Sequence, residues 1–477
     1  MISYSVLAGL LILNALLIAY GWRRYRCAMA GMASVGTASE PALPARDPLT
    51  GLLNRADLTQ WLDRPGQQPG GGAMIVDLDG FKALNQLNGH LAGDSLLRAV
   101  ADIIRDCMPA GTTVARIGGD AFALGFAAGG AAIEGAARAI AQRLASPAER
   151  AAVGAHVSAS IGLAIRDAGD SGEALLRRAD IAMRAARLAG RGRIAWFDDS
   201  MQRELSQRIE IEAGLRAAIP AGEIVPWFEP QVELATGALR GFEMLARWER
   251  PGRGVAMPND FIPVAEEAGL IGDLSLCVMR QAMAEARGWD NDLILSVNLS
   301  PIQIADPWLA QKIAKLLSET GFPAERLEVE ITEAALFENL GLAQAIVTSF
   351  KNQGMRLVLD DFGTGYSSLA HLRALPFDRV KIDRSFVASL EQDPESAVMV
   401  SAITRLAESL NLSITAEGIE SEAIAARLST IGSYTGQGWL FGKPMRADDV
   451  RAGLADKGLL PTMRDAPPVP TRARRAG

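Results

Sequence analysis

Cysteine and histidine are scarce here, with three of each in 477 residues. Cys27, Cys107 and Cys277 are scattered and never fall in CxxC spacing, which excludes a disulfide framework or a thiolate zinc site and points to a reducing setting. A basic excess is also missing. The 48 Lys and Arg face 55 Asp and Glu, a formal net charge of -7, so the chain lacks the basic face of a general nucleic-acid binder. A phosphate-bearing ligand would need local help from metals or arginines. What the chain does have is length and apolar content: 477 residues, 49% hydrophobic, enough for two or three domains with cores of their own.

The N-terminus carries a long apolar run, Ile2 to Trp22, followed at once by Arg23, Arg24 and Arg26. That pattern predicts an uncleaved transmembrane anchor over residues 1–26, single-pass in the inner (cytoplasmic) membrane, with everything after it held on the cytoplasmic side by the arginines. Residues 27–44, rich in Gly, Ala, Ser and Pro, read as a linker, and residues 461–477, rich in Pro, Ala and Arg, as a disordered tail.

Residues 45–199 read as one α/β unit. Strands are expected at 73–76, 113–116, 122–126 and 157–165, with helices over 91–104 and 174–188. The first strand ends at Asp77 and Asp79. The motifs DPLTGLLNR at 47–55, VDLDGFKALNQLNGHLAGD at 76–94, RIGGDAF at 116–122, SIGLA at 160–164 and ADIAMRAARLAGRGR at 179–193 resemble the GGDEF family of diguanylate cyclases, which implies a cyclase-like α/β sandwich. By that resemblance Asp77 ligates a metal on GTP, Asn85 and Asp94 meet the guanine edge, and Arg187 and Arg191 meet the triphosphate. Arg187 stands where the family has lysine. Ala121 replaces the second acid of the hairpin, leaving Asp120 alone, and Gln86 replaces an aspartate. Loss of one such electrostatic contact costs about 3–4 kcal/mol, on the order of 10²- to 10³-fold in rate. A degenerate, non-cyclising domain is therefore expected. The product-inhibition motif RxxD is also missing, its place taken by Pro109 to Thr112.

Residues 200–220 carry Leu205, Ile209, Ile211, Leu215 and Ala218 among charges, the pattern of an amphipathic connecting helix. From 221 to 460 one theme repeats: a short apolar run, a polar residue, a helical stretch. The runs fall at 224–228, 241–245, 293–297, 327–331, 356–359, 379–382, 412–415 and 438–441, which predicts a TIM-barrel-like (β/α)₈ domain with its active face at the strand ends. At or near those ends stand Glu243, Asn298, Glu330, Asp360, Asp361, Lys381 and Glu417, with no histidine or cysteine among them. An all-oxygen set of this kind suits hard ions, two Mg²⁺ or Mn²⁺, in a phosphoester hydrolase.

FEMLARW at 242–248, SVNLSP at 296–301, VEITE at 329–333, DDFGTGYSSL at 360–369, VKIDRSF at 380–386, AEGIE at 416–420 and GQGWLFGKP at 436–444 resemble the EAL family of cyclic di-GMP phosphodiesterases. The resemblance implies metal ligation by Glu243, Asn298, Glu330, Asp360, Asp361 and Glu417, a water-positioning Lys381, and a Glu333 that holds the loop 361–369. It puts Arg247, Glu229, Glu420 and Gln437 at lesser substrate-contacting or supporting positions. Glu229 departs from the family, since the usual YQP reads Phe228-Glu229-Pro230. The expected protein hydrolyses cyclic di-GMP to pGpG, with GTP as an allosteric ligand of the GGDEF domain, the membrane and a second copy of the chain as partners, and no nucleic acid. A non-catalytic cyclic di-GMP receptor and a bifunctional cyclase/phosphodiesterase are the alternatives.

Overall fold

The computed structural model describes residues 46–64, 70–127, 129–146, 157–337, 340–363 and 375–460. Packing divides the chain into two compact units, with the division between Leu205 and Ser206. It falls inside a single helix, Asp199–Ala221.

The first unit is a five-stranded sheet. Its strands are β1 (Gly72–Leu78), β2 (Thr112–Gly118), β3 (Ala121–Phe126), β4 (Ala159–Ile165) and β5 (Ile194–Trp196), in the order β2-β3-β1-β4-β5. β1 runs antiparallel to both β3 and β4, and its GAMIVDL sequence is buried along nearly its whole length, as a central strand covered on both faces requires. The helices His90–Asp106 and Gly130–Ala145 supply Val100, Ile104, Ile133 and Ile140 to one core, and Gly172–Leu188 supplies Leu175, Ala179 and Met183 to the other. β2 and β3 form a hairpin whose turn has Gly118 at φ 137° and Gly119 at φ 52°, backbone positions that only glycine takes cheaply. Asp77 of β1 pairs in register with Ala121 of β3.

The second unit is a closed barrel. Its strands are β6 (Ile224–Glu233), β7 (Leu239–Arg250), β9 (Ile294–Leu299), β10 (Leu327–Thr332), β11 (Arg356–Phe362), β12 (Arg379–Ile382), β13 (Ser413–Ala416) and β14 (Thr435–Gln437), with β8 (Gly254–Ala256) attached to the edge of β7. β7 and β9 to β14 pair in parallel, whereas β6 is antiparallel to both β7 and β14 and closes the barrel between them. The barrel is thus not fully parallel, because only the short turn Leu234–Ala238 joins β6 to β7, too short for a crossover helix. The last strand also differs from expectation. It lies at Thr435–Gln437, ahead of the apolar run at 438–441, because Gly438 takes φ 147° and a Cβ there would sit 2.4 Å from the backbone N and O of Ile419.

The connecting helix runs one residue beyond the expected 200–220 at each end, and only part of its apolar pattern is covered: Ile211, Leu215 and Ala218 are buried while Ile209 is exposed. Among the described residues no helix is long and apolar enough to cross a membrane. Even the helix of 23 residues, Asp199–Ala221, alternates its apolar positions with Arg and Glu at almost every turn. The membrane helix expected over 2–22 lies outside the described residues, as do the linker 27–44 and the tail 461–477. The expectation of an anchored architecture in the inner membrane is corrected to two α/β units without a spanning helix among the residues described.

Gly438 generates a test. A methyl group at this φ, pressed against a fixed main chain, should cost Gly438→Ala at least about 2 kcal/mol of barrel stability. Chemical denaturation monitored by tryptophan fluorescence measures it, and an unchanged midpoint would count against the observed chain path.

Candidate active site

Side chains along a strand alternate, so every second residue of a barrel strand points inward. β7 supplies Glu243 from its middle, and β9, β10 and β11 supply Asn298, Glu330 and Asp360 close to their carboxyl ends; β12 supplies Lys381, and Glu417 follows β13. The structure brings all of them together. Lys381 is 1% exposed, and its Nζ lies 2.6 Å from Glu330 Oε2, 2.6 Å from Glu417 Oε1, 3.3 Å from Glu243 Oε2 and 3.5 Å from Asp360 Oδ1. Asn298 Nδ2 donates to Glu243 Oε1 at 2.6 Å, and Gln437 Nε2 to Glu243 Oε2 at 2.6 Å. Glu243 is thereby held from three sides.

Asp361 takes a left-handed backbone, φ 56°, and its N–H donates to Asp360 Oδ1 at 2.9 Å. The register between β11 and β12 shifts at this point, and the irregularity turns a second consecutive carboxylate toward the site. Oxygens of Asp360, Asp361 and Glu417 lie within 4.8 Å of one another.

The electrostatics follow from crowding. Burial and the neighbouring Glu243 carboxylate raise Glu330 well above the usual carboxylate range, and burial pushes Glu417 up to about 8 despite Lys381. Burial and Asp360 raise Asp361. Burial disfavours the Lys381 ammonium, yet Glu243, Glu330, Glu417 and Asp360 outweigh it and hold the charge firmly. Glu243 moves down, burial being overcome by Lys381, Gln437 and Asn298.

Of the remaining expected residues, Glu229, Glu420 and Gln437 line a cleft of about 290 Å³, together with Glu243, Leu245, Arg384, Glu417 and Trp439 among others. Glu229 accepts from Gln437 Nε2 at 3.1 Å and is raised by burial, with Glu243 nearby also raising it. Glu420 is exposed on the rim. Arg247, four residues after Glu243 on β7, is buried, its guanidinium 5.4 Å over the Trp227 ring and its Nη1 donating to Ala246 O at 2.9 Å. Both carboxylate oxygens of Glu333 are buried without a hydrogen-bond partner among the described residues, and the loop expected to meet them runs beyond Gly363 into residues outside those described.

Arg384 and Trp439 are among the lining residues that the sequence reading did not assign to the site. Arg384 directly follows Asp383 in the VKIDRSF motif, and Trp439, 59% exposed with Lys443 Nζ 4.5 Å over its ring, is an aromatic left open at the cleft mouth. A tryptophan directly after a glycine in GQGWLFGKP was the signal available.

In the first unit, Asp77 is half-buried and ion-paired with Arg187. Burial and Asp120 raise the Asp77 carboxyl to about 6. Ala121 presents a methyl group at the position paired with Asp77. Asp79 is fully engaged in holding the fold, accepting from Ser158 Oγ at 2.6 Å, Ser160 Oγ at 2.7 Å and Gly192 N at 2.9 Å. A cleft of about 370 Å³ beside it is lined by Phe81, Leu84, Leu87 and Arg191. Asn85 Oδ1 is buried without a partner among the described residues, and Asp94 lies on the adjacent helix, partly buried.

The Glu417 shift makes a stability prediction. Its folded pKa, about 8, lies above the ordinary 4.5, so the folded chain binds the proton more tightly than the unfolded one. In EDTA the melting midpoint should therefore fall as pH rises from 5 through about 8, and Glu417→Gln should flatten the decline. A midpoint that rises over this window would contradict the crowding described.

Comparison with known proteins gives a consistent assignment. Residues 44–193 match the family model "Diguanylate cyclase, GGDEF domain" and residues 212–444 match "EAL domain". The chain is 36% identical over 409 residues to the cyclic di-GMP phosphodiesterase PdeR of Escherichia coli, covering 84% of this chain and 62% of that one. It is 35% identical over 424 residues to the bifunctional diguanylate cyclase/cyclic di-GMP phosphodiesterase MucR of Pseudomonas aeruginosa, covering 87% and 62%. With other curated relatives it spans about half of their length. Among solved structures, the EAL enzyme Bd1971 bound to cAMP and cyclic di-GMP superposes with a TM-score of 0.51 at 27% identity, over 60% of this chain and 77% of that one. With both domain models matched in tandem, the chain belongs to the GGDEF–EAL family.

Proposed function

We propose that the barrel is a metal-dependent phosphodiesterase that opens cyclic di-GMP to linear pGpG, and that the GGDEF unit acts on it as a regulatory or scaffold module without cyclase activity. The observation that carries the reading is the charge imbalance at the strand ends: Glu243, Glu330, Asp360, Asp361 and Glu417 face the single ammonium of Lys381. A buried set of that kind is relieved by divalent cations, and its all-oxygen donors fit Mg²⁺ or Mn²⁺. Glu243, Asn298, Glu330, Asp360, Asp361 and Glu417 would hold two such ions, which supply charge neutralisation for a phosphodiester and a water of lowered pKa.

The chain's own groups do the rest. Lys381 keeps a fixed positive charge at Nζ beside the place where negative charge develops. Asn298 and Gln437 orient Glu243. Trp439 offers a face on which a purine can stack at the cleft mouth, and Arg384 offers a guanidinium to a phosphate. Glu229 places an extra carboxylate where an uncharged amide would donate a hydrogen bond, which weakens the grip on a phosphate.

In the GGDEF unit, Ala121 opposite Asp77 removes one carboxylate from the reaction site, and Arg187 already pairs with Asp77. Asn85, Asp94 and Arg191 keep side chains able to bind a guanine nucleotide. GTP binding there would alter hydrolysis by at most its differential affinity for two states, roughly 5- to 150-fold.

The full chain incubated with cyclic di-GMP should yield pGpG only with Mg²⁺ or Mn²⁺. Glu243→Ala or Lys381→Ala should each lower turnover by at least about 10²-fold, read by chromatography of the products. Undiminished hydrolysis in Glu243→Ala would reject the site, and binding without cleavage would favour a receptor. Calorimetry with GTP should give heat in the wild type and little in Asp94→Ala; GTP conversion to cyclic di-GMP would reveal a working cyclase instead.

A further inference from the structure

The barrel floor, at the opposite ends of the strands from the acidic site, has the reverse charge. Glu328, 2% exposed, is the carboxylate there, and three guanidiniums converge on it. Arg240 Nη2 lies 3.3 Å from Glu328 Oε1, Arg356 Nη1 3.8 Å from the same oxygen, and Arg379 Nε 3.7 Å from Glu328 Oε2. Three positive charges against one negative leave an excess of two. Glu330, one layer above, is already bound to Lys381.

Two guanidinium nitrogens make no hydrogen bond among the described residues, although one of them, Arg379 Nε, faces Glu328 Oε2 at 3.7 Å. Arg379 is 95% buried by its 5% exposure; its Nη1 donates to Thr415 Oγ1 at 3.1 Å and Thr435 Oγ1 at 2.7 Å, but its Nε is buried without a hydrogen-bond partner among the described residues. Arg240 Nε is likewise buried and unpartnered. Arg240 is placed here by a bulge: β6 pairs Gln231 with Gly241 and Val232 with Leu239, so Arg240 has no partner across the ladder and its side chain reaches the floor. The side chains of Arg240 and Arg356 are 27% and 42% exposed, so solvent reaches the cluster.

An unpaired, desolvated donor is costly, and an uncompensated cluster of like charge more so. Burial and the repulsion of Arg240 and Arg356 hold Arg379 below its ordinary pKa, against the pull of Glu328 and Glu330. A ligand with several acceptor oxygens and negative charge satisfies both deficits at once, and planar forked donors match a tetrahedral oxyanion. We propose that Arg240, Arg356 and Arg379 form an oxyanion site at the barrel floor for inorganic phosphate or a phosphomonoester, separate from the acidic strand-end site.

The test uses the full chain in EDTA, titrated with inorganic phosphate at constant ionic strength made up with chloride, followed by calorimetry and thermal melting. Saturable heat and a rising midpoint are expected in the wild type. Arg240→Ala combined with Arg356→Ala should weaken binding at least about tenfold, and Glu328→Gln, which removes the competing carboxylate, should tighten it about tenfold. If the double variant fails to fold, the single half-exposed change Arg356→Ala serves in its place, with weaker binding expected. A parallel variant, Arg187→Ala with Arg191→Ala in the GGDEF unit, removes the phosphate contacts expected there and should leave the Arg356- and Glu328-dependent heat in place. Absence of saturable heat overturns the site, as does binding that responds to the GGDEF variant and not to Arg356 or Glu328.

Discussion

Everything at the active face depends on burying one ammonium among carboxylates. An isolated buried charge costs several kcal/mol, and Lys381 is tolerated at 1% exposure only because Glu330 and Glu417 each approach it within 2.6 Å while Glu243 and Asp360 stand just outside. The same contacts leave the acids unbalanced, since one cation cannot neutralise them all. That is why burial drives Glu417 to about 8 and Glu330 and Asp361 upward. Proton uptake by the shifted acids relieves part of that imbalance, and the proposed divalent ions would relieve the rest.

The barrel turns this local problem into a layered design. Inward residues of alternate layers form an acidic rim and a basic floor, joined by a polar chain: Gln437 Nε2 bonds Glu243, Gln231 Nε2 bonds Gln437 Oε1 at 3.0 Å, and Ser296 Oγ lies 3.5 Å from both Gln231 and Glu328. Each layer has a charge opposite to the other, so the interior is held by polar contacts along an axis that is elsewhere sheathed in Leu, Val and Ile. The GGDEF unit follows a simpler logic. Asp79 is spent on fold, Asp77 is paired with Arg187, and the strand opposite supplies a methyl group.

Much of this was legible because strands have period two and barrel sites collect at strand ends. In VEITE, Glu330 stands within a short β-rich run, and the Asp360–Asp361 pair ends an apolar run. What escaped depended on long-range geometry. The last strand was misplaced onto 438–441 because Gly438 looks harmless until Ile419 is known to press on it. The antiparallel β6 could not be read from its own composition, and the role of Arg240 required the bulge opposite Val232. Ile209 fitted a helical stripe yet stays exposed, since periodicity sets a face and not what covers it. The anchor expected over 2–22, read from an apolar run and the arginines after it, lies outside the described residues, among which no helix is long and apolar enough to cross a membrane.

The central claim is that the carboxylates around Lys381 are completed by divalent ions. Counting Mn²⁺ bound per chain by electron paramagnetic resonance of the free ion tests it directly. Two ions are predicted in the presence of cyclic di-GMP, with loss of at least one in Asp360→Asn and in Glu417→Gln. Stoichiometry and affinity unchanged in both variants would contradict the account.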